Sequence, residues 1–274
     1  MSALGTPPLR VSLPPPPGIG WRVAHRVRSL LLPLLVLATW QFVSARVLNE
    51  TTRILLPPPS VVAATAWDLI VSGELVHQLS ASLRREFVAF LWALMAIPLG
   101  VAMGWWKAFN EQVDPLVEIL RPIPPLAWIP LSILWFGVGD LQNEFIILLG
   151  IFFPILLNTM GGVRVVDPNL VRAARCLGSS EWTVLSRVVV LAALPQIVTG
   201  IRIGLGVGWM ALVAAELVGA NSGLGFMIND ARTILRTDIV IVGMITIGLV
   251  GLALDSIVRL MMAALMPWSR LAQR

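Results

Sequence analysis

Between residues 87 and 106 the chain runs for 20 residues without a charge, and comparable stretches recur along its length. A helix climbs about 1.5 Å per residue, so roughly 20 apolar residues cross the hydrocarbon core of a bilayer. Windows at 29–45, 87–106, 122–139, 145–163, 188–215 and 239–254 approach or meet that length, the last running on past Asp255 and Arg259. A chain that is 57% hydrophobic and 13% charged holds more apolar surface than one soluble core can hide, which makes lipid its solvent. The expected fold is an all-α polytopic membrane protein with about six transmembrane helices.

The windows are not alike. Residues 87–106 include Pro98, expected to kink the span, and close on Trp105 and Trp106, a pair suited to a membrane interface. Window 122–139 carries Pro122, Pro124, Pro125 and Pro130. Each removes a backbone donor, and the resulting irregular backbone survives at membrane depth only when packed in protein or lining a wet cavity. Threading the six windows from an inside N-terminus leaves thirteen Lys and Arg on the inner side and six on the outer, with Arg202 inside a span. That asymmetry favours cytoplasmic N- and C-termini. The net charge of +5 does not point to nucleic acid, because the arginines flank apolar runs instead of forming one basic stripe.

The domain plan is a disordered, proline-rich and basic cytoplasmic tail at 1–28, a transmembrane domain at 29–266, and a short cytoplasmic tail at 267–274. A second reading of the start stands beside it: the basic flank, the apolar run and Val43-Ser44-Ala45 also fit a cleaved signal peptide. The outer segment 49–85 contains a Leu56-Pro57-Pro58-Pro59-Ser60 turn and an amphipathic stretch at 61–71, expected as a helix lying on the outer surface.

One polar island, within the loop 164–187, separates apolar spans: D-P-N-L-V-R-A-A-R-C-L-G-S-S-E-W-T-V-L-S-R from Asp167 to Arg187. Asp167 is a good N-cap, Pro168 fits the first helical position and Gly178 is a natural stop, which predicts a short helix over 168–177. Ser179 or Ser180 caps a second one. Ala173 and Ala174 carry almost no bulk, so the first helix can seat closely in a groove of another protein; an ordinary interfacial loop helix is the alternative. The single cysteine, Cys176, lies in the island and forms no internal disulfide.

The run Arg172-Ala173-Ala174-x3-Gly178, followed by Leu194-Pro195, resembles the coupling-loop signature of ABC importer permeases, usually Glu-Ala-Ala-x3-Gly-x9-Ile-x-Leu-Pro. The resemblance continues through Arg121-Pro122-Ile123-Pro124-Pro125-Leu126-Ala127-Trp128-Ile129-Pro130, Trp135-Phe136-Gly137, the run from Gly200 to Trp209, and Ala214-Ala215-Glu216-Leu217. It covers about residues 50 to 262 and is greatest to the permeases for taurine, aliphatic sulfonates, nitrate and bicarbonate. Two positions depart from the signature: Arg172 stands where a glutamate is usual, and Val190-Leu191 occupies the first Leu-Pro position. Docking therefore cannot rest on a carboxylate at 172.

The resemblance implies a type I importer permease with a cytoplasmic coupling helix, in which Arg172, Ala173, Ala174, Gly178 and Glu181 meet the ATPase. It further implies a dimer of permease copies, two cytoplasmic ATPase subunits that bind ATP and Mg, and an extracytoplasmic binding protein, all at the cytoplasmic membrane. ATP binding would close the ATPases and swing the spans outward-open. The chain has no Gly-x4-Gly-Lys-Ser/Thr run, so it cannot cradle ATP phosphates by that route. The expected solute is a small oxyanion, with taurine or another sulfonate favoured over nitrate or bicarbonate.

Several intramembrane residues are candidates for the translocation pathway. Arg202 is costly inside a span: it either eases anion passage, pairs with Asp255, or snorkels to the interface. Glu216 would repel an anion and is expected to fix a gate or to pair with Arg232 or Arg236. Trp128, Trp135 and Trp209 line a pathway or serve packing and anchoring, and Arg121 is expected to anchor the irregular third span at the inner surface. Gly200, Gly204 and Gly208 form a small-residue stripe read as helix packing. Catalytic and metal sites are not expected: His25 and His77 lie outside the spans, and Asp255, Glu216 and Asn158 sit at different depths. An intramembrane enzyme and a purely structural or sensory subunit are the readings from other classes.

Overall fold

The computed structural model describes residues 19–265, with side-chain environments from 31 to 262. Expectations for the first 18 residues and for the tail at 267–274 lie outside those bounds. The chain divides into two compact units, residues 1–60 and 61–274.

In the first unit α1 (Ile19–Phe42) runs into a π-helical turn, Val43–Val47, followed by α2 (Glu50–Leu55). The expected first span at 29–45 lies within α1 and that turn, and helix begins at Ile19 where a disordered tail to 28 was expected. Beyond Pro17 no proline interrupts the sequence until Pro33, so nothing local opposes helix there. Gln41 bonds the Ser60 backbone N–H through Oε1 at 3.1 Å, and the buried Ser44 hydroxyl bonds the Leu56 carbonyl.

The second unit begins within α3 (Pro59–Val71), where the sequence led to a helix at 61–71. Next come α4 (Glu74–Ala93), α5 (Ala96–Trp105), α6 (Lys107–Leu120), α7 (Ile129–Phe136), α8 (Asp140–Arg164), α9 (Pro168–Cys176), α10 (Glu181–Val184), α11 (Val190–Gly219), α12 (Leu224–Thr233) and α13 (Thr237–Leu265). Among the described residues four helical spans are long and apolar enough to cross a membrane: Glu74–Trp105, Asp140–Arg164, Glu181–Gly219 and Thr237–Met262. Lys107–Leu120 and Pro125–Phe136 make a fifth only as a pair bent by 82°. The bend falls on Pro122, Pro124 and Pro125, as the missing backbone donors require.

Proline also explains the break inside the first of these spans. Helix stops at Ala93 and resumes at Ala96, a gap that begins at Leu94, whose carbonyl a ring at Pro98 would otherwise strike. That span starts at Glu74 and not near 87, so Arg84 and Arg85 belong to a helix where an outer loop was expected.

The core is built on α8, whose Ile146, Ile147, Ile151, Ile155 and Leu156 are 0% exposed. Helix α11 lies along α8, α4 and α5 pack on its flanks, and α12 bridges α11 and α13. Gly200, Gly204 and Gly208 are buried on the α8 face of α11. A Cβ at Gly204 would stand 2.9 Å from the Ile151 carbonyl oxygen, so the stripe is what lets the two backbones meet. By contrast the apolar window of α13 is only 11% buried within this chain, leaving most of its surface for lipid or another subunit.

Candidate functional site

The segment after α8 folds as its capping residues direct. Asp167 accepts a 2.8 Å bond from the Asn169 N–H, placing a side-chain acceptor on an N–H that the helix leaves orphaned. Leu177 closes α9, and Gly178 follows with φ +80. Its N–H bonds Arg175 O at 2.9 Å, and the Ser179 N–H bonds Ala174 O at 3.2 Å, the pair of returning bonds that ends a helix when the residue past the cap is left-handed. Ser180 then caps α10 through the Thr183 N–H. Arg175 locks the two short helices together by an ion pair to Glu181 at 2.8 Å and lies 5.8 Å from the centre of the Trp105 ring.

This small unit has an inner and an outer surface. Ala174 packs on a cluster formed by Val163, Val184, Leu185, Val189, Ala193 and Ile197. Ala173 and Arg172 face out, Arg172 donating only to the Pro168 carbonyl at 3.4 Å. The two alanines therefore serve different surfaces, which their identical chemistry hides in the sequence. Leu177 is 86% exposed and Trp182 72%. Large apolar groups held out by a capped scaffold form a surface of the kind that meets either a protein partner or the membrane interface.

At the opposite end of α8 and α11 lies a buried polar clasp. Arg85 is 2% exposed and Glu216 1%, and Arg85 Nη1 meets Glu216 Oε1 at 2.8 Å. The same guanidinium reaches Asp140 at 2.7 Å, the Ser222 carbonyl at 2.6 Å and the Ser222 hydroxyl at 2.8 Å; Arg84 also pairs with Asp140. Glu216 accepts from the Gly225 N–H and from the Ser82 hydroxyl, both at 2.9 Å. Ser82 Oγ accepts from Leu224 N–H at 2.9 Å, and Gln78 Oε1 from Gly223 N–H at 2.6 Å. Side chains of α4 and α11 thus satisfy the orphan donors at the start of α12, which is why a buried carboxylate is tolerated there.

The clasp corrects the expected partner of Glu216. Arg232 bonds Asn229 and Arg236 bonds Asp238; both lie at the far end of α12, whereas Glu216 faces its beginning. Arg85, Gln78 and Ser82 were not anticipated. Their signal was spacing: residues 75, 78, 82, 85, 86, 89 and 93 are buried on α4, a three-four repeat that continues from polar into small residues.

The family of binding-protein-dependent transport system inner membrane components matches this chain over residues 96–270. The chain is an ABC importer permease of that family. It is 40% identical over 250 residues, 91% of its length and 88% of the relative's, to the putative aliphatic sulfonates transport permease protein of Bacillus subtilis. It is 39% identical over 255 residues, 90% of its length and 92% of the relative's, to the taurine transport system permease protein of Escherichia coli. Among solved structures, an inward-facing MetNI methionine ABC transporter chain superposes with TM-score 0.56 at 23% identity, covering 68% of this chain and 94% of that one. That likeness establishes the type I importer fold.

In the permease the remaining sequence candidates separate. Arg202 Nε pairs with Asp255 Oδ1 at 2.6 Å, and Asp255 also takes Arg259 at 2.6 Å. The Arg202 side chain stays 41% exposed and lines a cavity of about 170 Å³ with Trp209 and Asp255. Trp209 is buried, its indole N–H bonding the Ile247 carbonyl at 3.1 Å, so it ties α11 to α13. Trp128 joins an aromatic cluster with Trp135 and Phe145, centroids 6.5 and 6.4 Å away. Arg121 is exposed at the end of α6, where the proline turn begins. The structure brings Arg202 and Trp209 to one cavity and leaves Arg121, Trp128 and Glu216 in separate environments.

Proposed function

We propose that this permease moves a small organic sulfonate, taurine favoured, inward across the cytoplasmic membrane, with a separate ATPase docked on α9 and α10. The observation that carries the docking is the capped α9–α10 unit: it is seated on the body through Ala174, Val171 and Val184 and presents Leu177 and Trp182 outward. Arg172, Ala173, Gly178 and Glu181 form or shape that surface, while Ala174 fastens it to the body. Because Arg172 is exposed and has no carboxylate partner among the described residues, the receiving groove is expected to carry an acid.

In this reading the α9–α10 end is cytoplasmic, both chain termini lie on that side, and the Arg85–Glu216 clasp lies at the outer end. Two permease copies form one pathway, using the broad apolar surface of α13 and its neighbours. Two ATPase subunits supply ATP and Mg, this chain carrying no cofactor, and an extracytoplasmic binding protein delivers solute. The permease is the passage and not an enzyme. Substrate class rests on the likeness to the taurine and sulfonate relatives; nitrate or bicarbonate is the alternative. Arg202 offers a cation beside a cavity, and Trp209 fixes one of its walls. Trp128 and Arg121 shape the bent segment, and Glu216 steadies the outer end.

The test is ATP-dependent uptake of radiolabelled taurine, an alkanesulfonate, nitrate and bicarbonate by vesicles holding this chain with its co-encoded ATPase and binding protein. Sulfonate uptake supports the reading. Uptake of nitrate or bicarbonate alone replaces its substrate, and no uptake from an assembled complex overturns it for all four anions.

A further inference from the structure

The last turn of α5 and the α9–α10 unit leave a pocket of about 560 Å³ between them. Polar and apolar groups share its lining: the indoles of Trp105 and Trp106 with Val163 and Val171 on one hand, the guanidiniums of Arg172 and Arg175 on the other. Arg175 is already neutralised, because it holds both oxygens of Glu181, at 2.8 and 2.9 Å. Arg172 is not. It donates only to the Pro168 carbonyl at 3.4 Å and has no carboxylate partner among the described residues. The segment 164–187 carries four arginines against two acids, so this end of the protein attracts anions.

A free inorganic anion would satisfy Arg172 and leave the indoles and valines bare. An apolar chain would cover those and leave the guanidinium. An amphiphile with an anionic head answers both halves of the lining. Trp105 and Trp106 close a membrane span, where tryptophan marks the level of the lipid headgroups, and Trp106 is 49% exposed. Arginine is always charged, and its planar fork matches the oxygens of a phosphate.

We infer that this pocket seats the head of an anionic phospholipid from the inner leaflet, with Arg172 as the ligand of its phosphate. The inference rests on the cytoplasmic placement of α9 and α10 proposed above. A guanidinium offers five N–H donors, so a phosphate on one edge and an acid of the ATPase on another are compatible. A lipid held there bridges α5 to α9 and ties the seat of the docking unit to the charge of the bilayer.

The experiment measures lipid binding to the purified full-length permease in maltoside micelles by native mass spectrometry, without ATPase or solute. Phosphatidylglycerol binds about tenfold or more tighter than phosphatidylcholine with the same acyl chains. Arg172→Gln lowers the phosphatidylglycerol affinity about tenfold, the scale of one charge-assisted hydrogen bond, and Arg172→Lys, which keeps the charge but not the fork, falls between. Arg232→Gln, which removes an exposed arginine of α12, leaves it within about twofold. Trp106→Ala weakens phosphatidylglycerol binding as well, which attraction by net charge alone would not produce. Equal binding of the two lipids, or equal effects of Arg172→Gln and Arg232→Gln, overturns the site. Displacement of phosphatidylglycerol by inorganic phosphate or glycerol phosphate at matching concentrations assigns the pocket to a soluble anion and overturns the lipid reading too. None of these outcomes touches the importer reading, which the uptake assay decides separately.

Discussion

Replacing Arg85 by glutamine removes the guanidinium from the clasp without changing the helix that carries it. Glu216, whose side chain is 0% exposed, then keeps only the Ser82 hydroxyl and the Gly225 N–H, and the Ser222 carbonyl and hydroxyl lose their donors. Stranding one member of a buried pair costs about 3–5 kcal/mol. The Asp140 contact adds little, about 1 kcal/mol at most, because that carboxylate is 41% exposed and solvent screens it. Glu216→Gln is milder, about 1–3 kcal/mol, since Arg85 retains Asp140 and Ser222. The double variant strands no charge opposite the missing partner, so the two effects should fail to add by about 1.5 kcal/mol or more. Reversible unfolding of the purified permease in mixed micelles, by titrating denaturing detergent, measures all four corners of this cycle. A coupling below about 0.5 kcal/mol would show that Arg85 and Glu216 stabilise the fold independently, and the clasp would lose its meaning.

Three further outcomes are expected. Gly178→Val places a branched side chain at φ +80, costs about 1–2 kcal/mol locally, and should abolish ATPase copurification and uptake while membrane insertion stays normal; retention of both would separate α9 from docking. Ala173→Leu should weaken copurification with an unchanged melting temperature, whereas Ala174→Leu should lower stability by about 1–3 kcal/mol through overpacking; the reverse pattern would invert the two surfaces. Arg202→Gln should reduce uptake with little loss of stability, because the pair is open to solvent screening; unfolding of the variant would assign Arg202 to structure.

What was legible in the sequence was local. Asp167, Pro168, Gly178 and Ser180 act within a few residues of themselves, and the short helices end where those residues place their ends. Prolines 122 to 130 marked a distorted segment for the same reason, although not its 82° bend, which depends on what packs around it. The Gly200, Gly204 and Gly208 stripe showed its role because helical spacing alone puts it on one face. The Arg85–Glu216 pair joins residues 131 apart in sequence, and no local pattern names such a partner. Arg85 was further hidden because residues 74–86 are too polar to register as part of a span, and adjacent arginines read as loop charge. The different surfaces of Ala173 and Ala174 were illegible for another reason: rotation about a helix axis distinguishes them, and composition does not.

The π-helical turn Leu185–Val189 joins α10 to α11 without a break, so the span Glu181–Gly219 is one rod of 39 residues. At 1.5 Å per residue it is nearly 60 Å long, about twice the hydrocarbon thickness it crosses. The α9–α10 unit and the Glu216 clasp are therefore joined by one continuous helix, with Arg202 near its middle. A tilt of about 5° imposed at Glu181 would displace the Glu216 end by roughly 5 Å over that length, enough to part the clasp. The π turn and Pro195, whose ring removes a backbone donor inside α11, are where such a rod can bend. If the ATPase docks on α9 and α10 as proposed, the stiffness of that helix sets how much of its movement reaches the clasp.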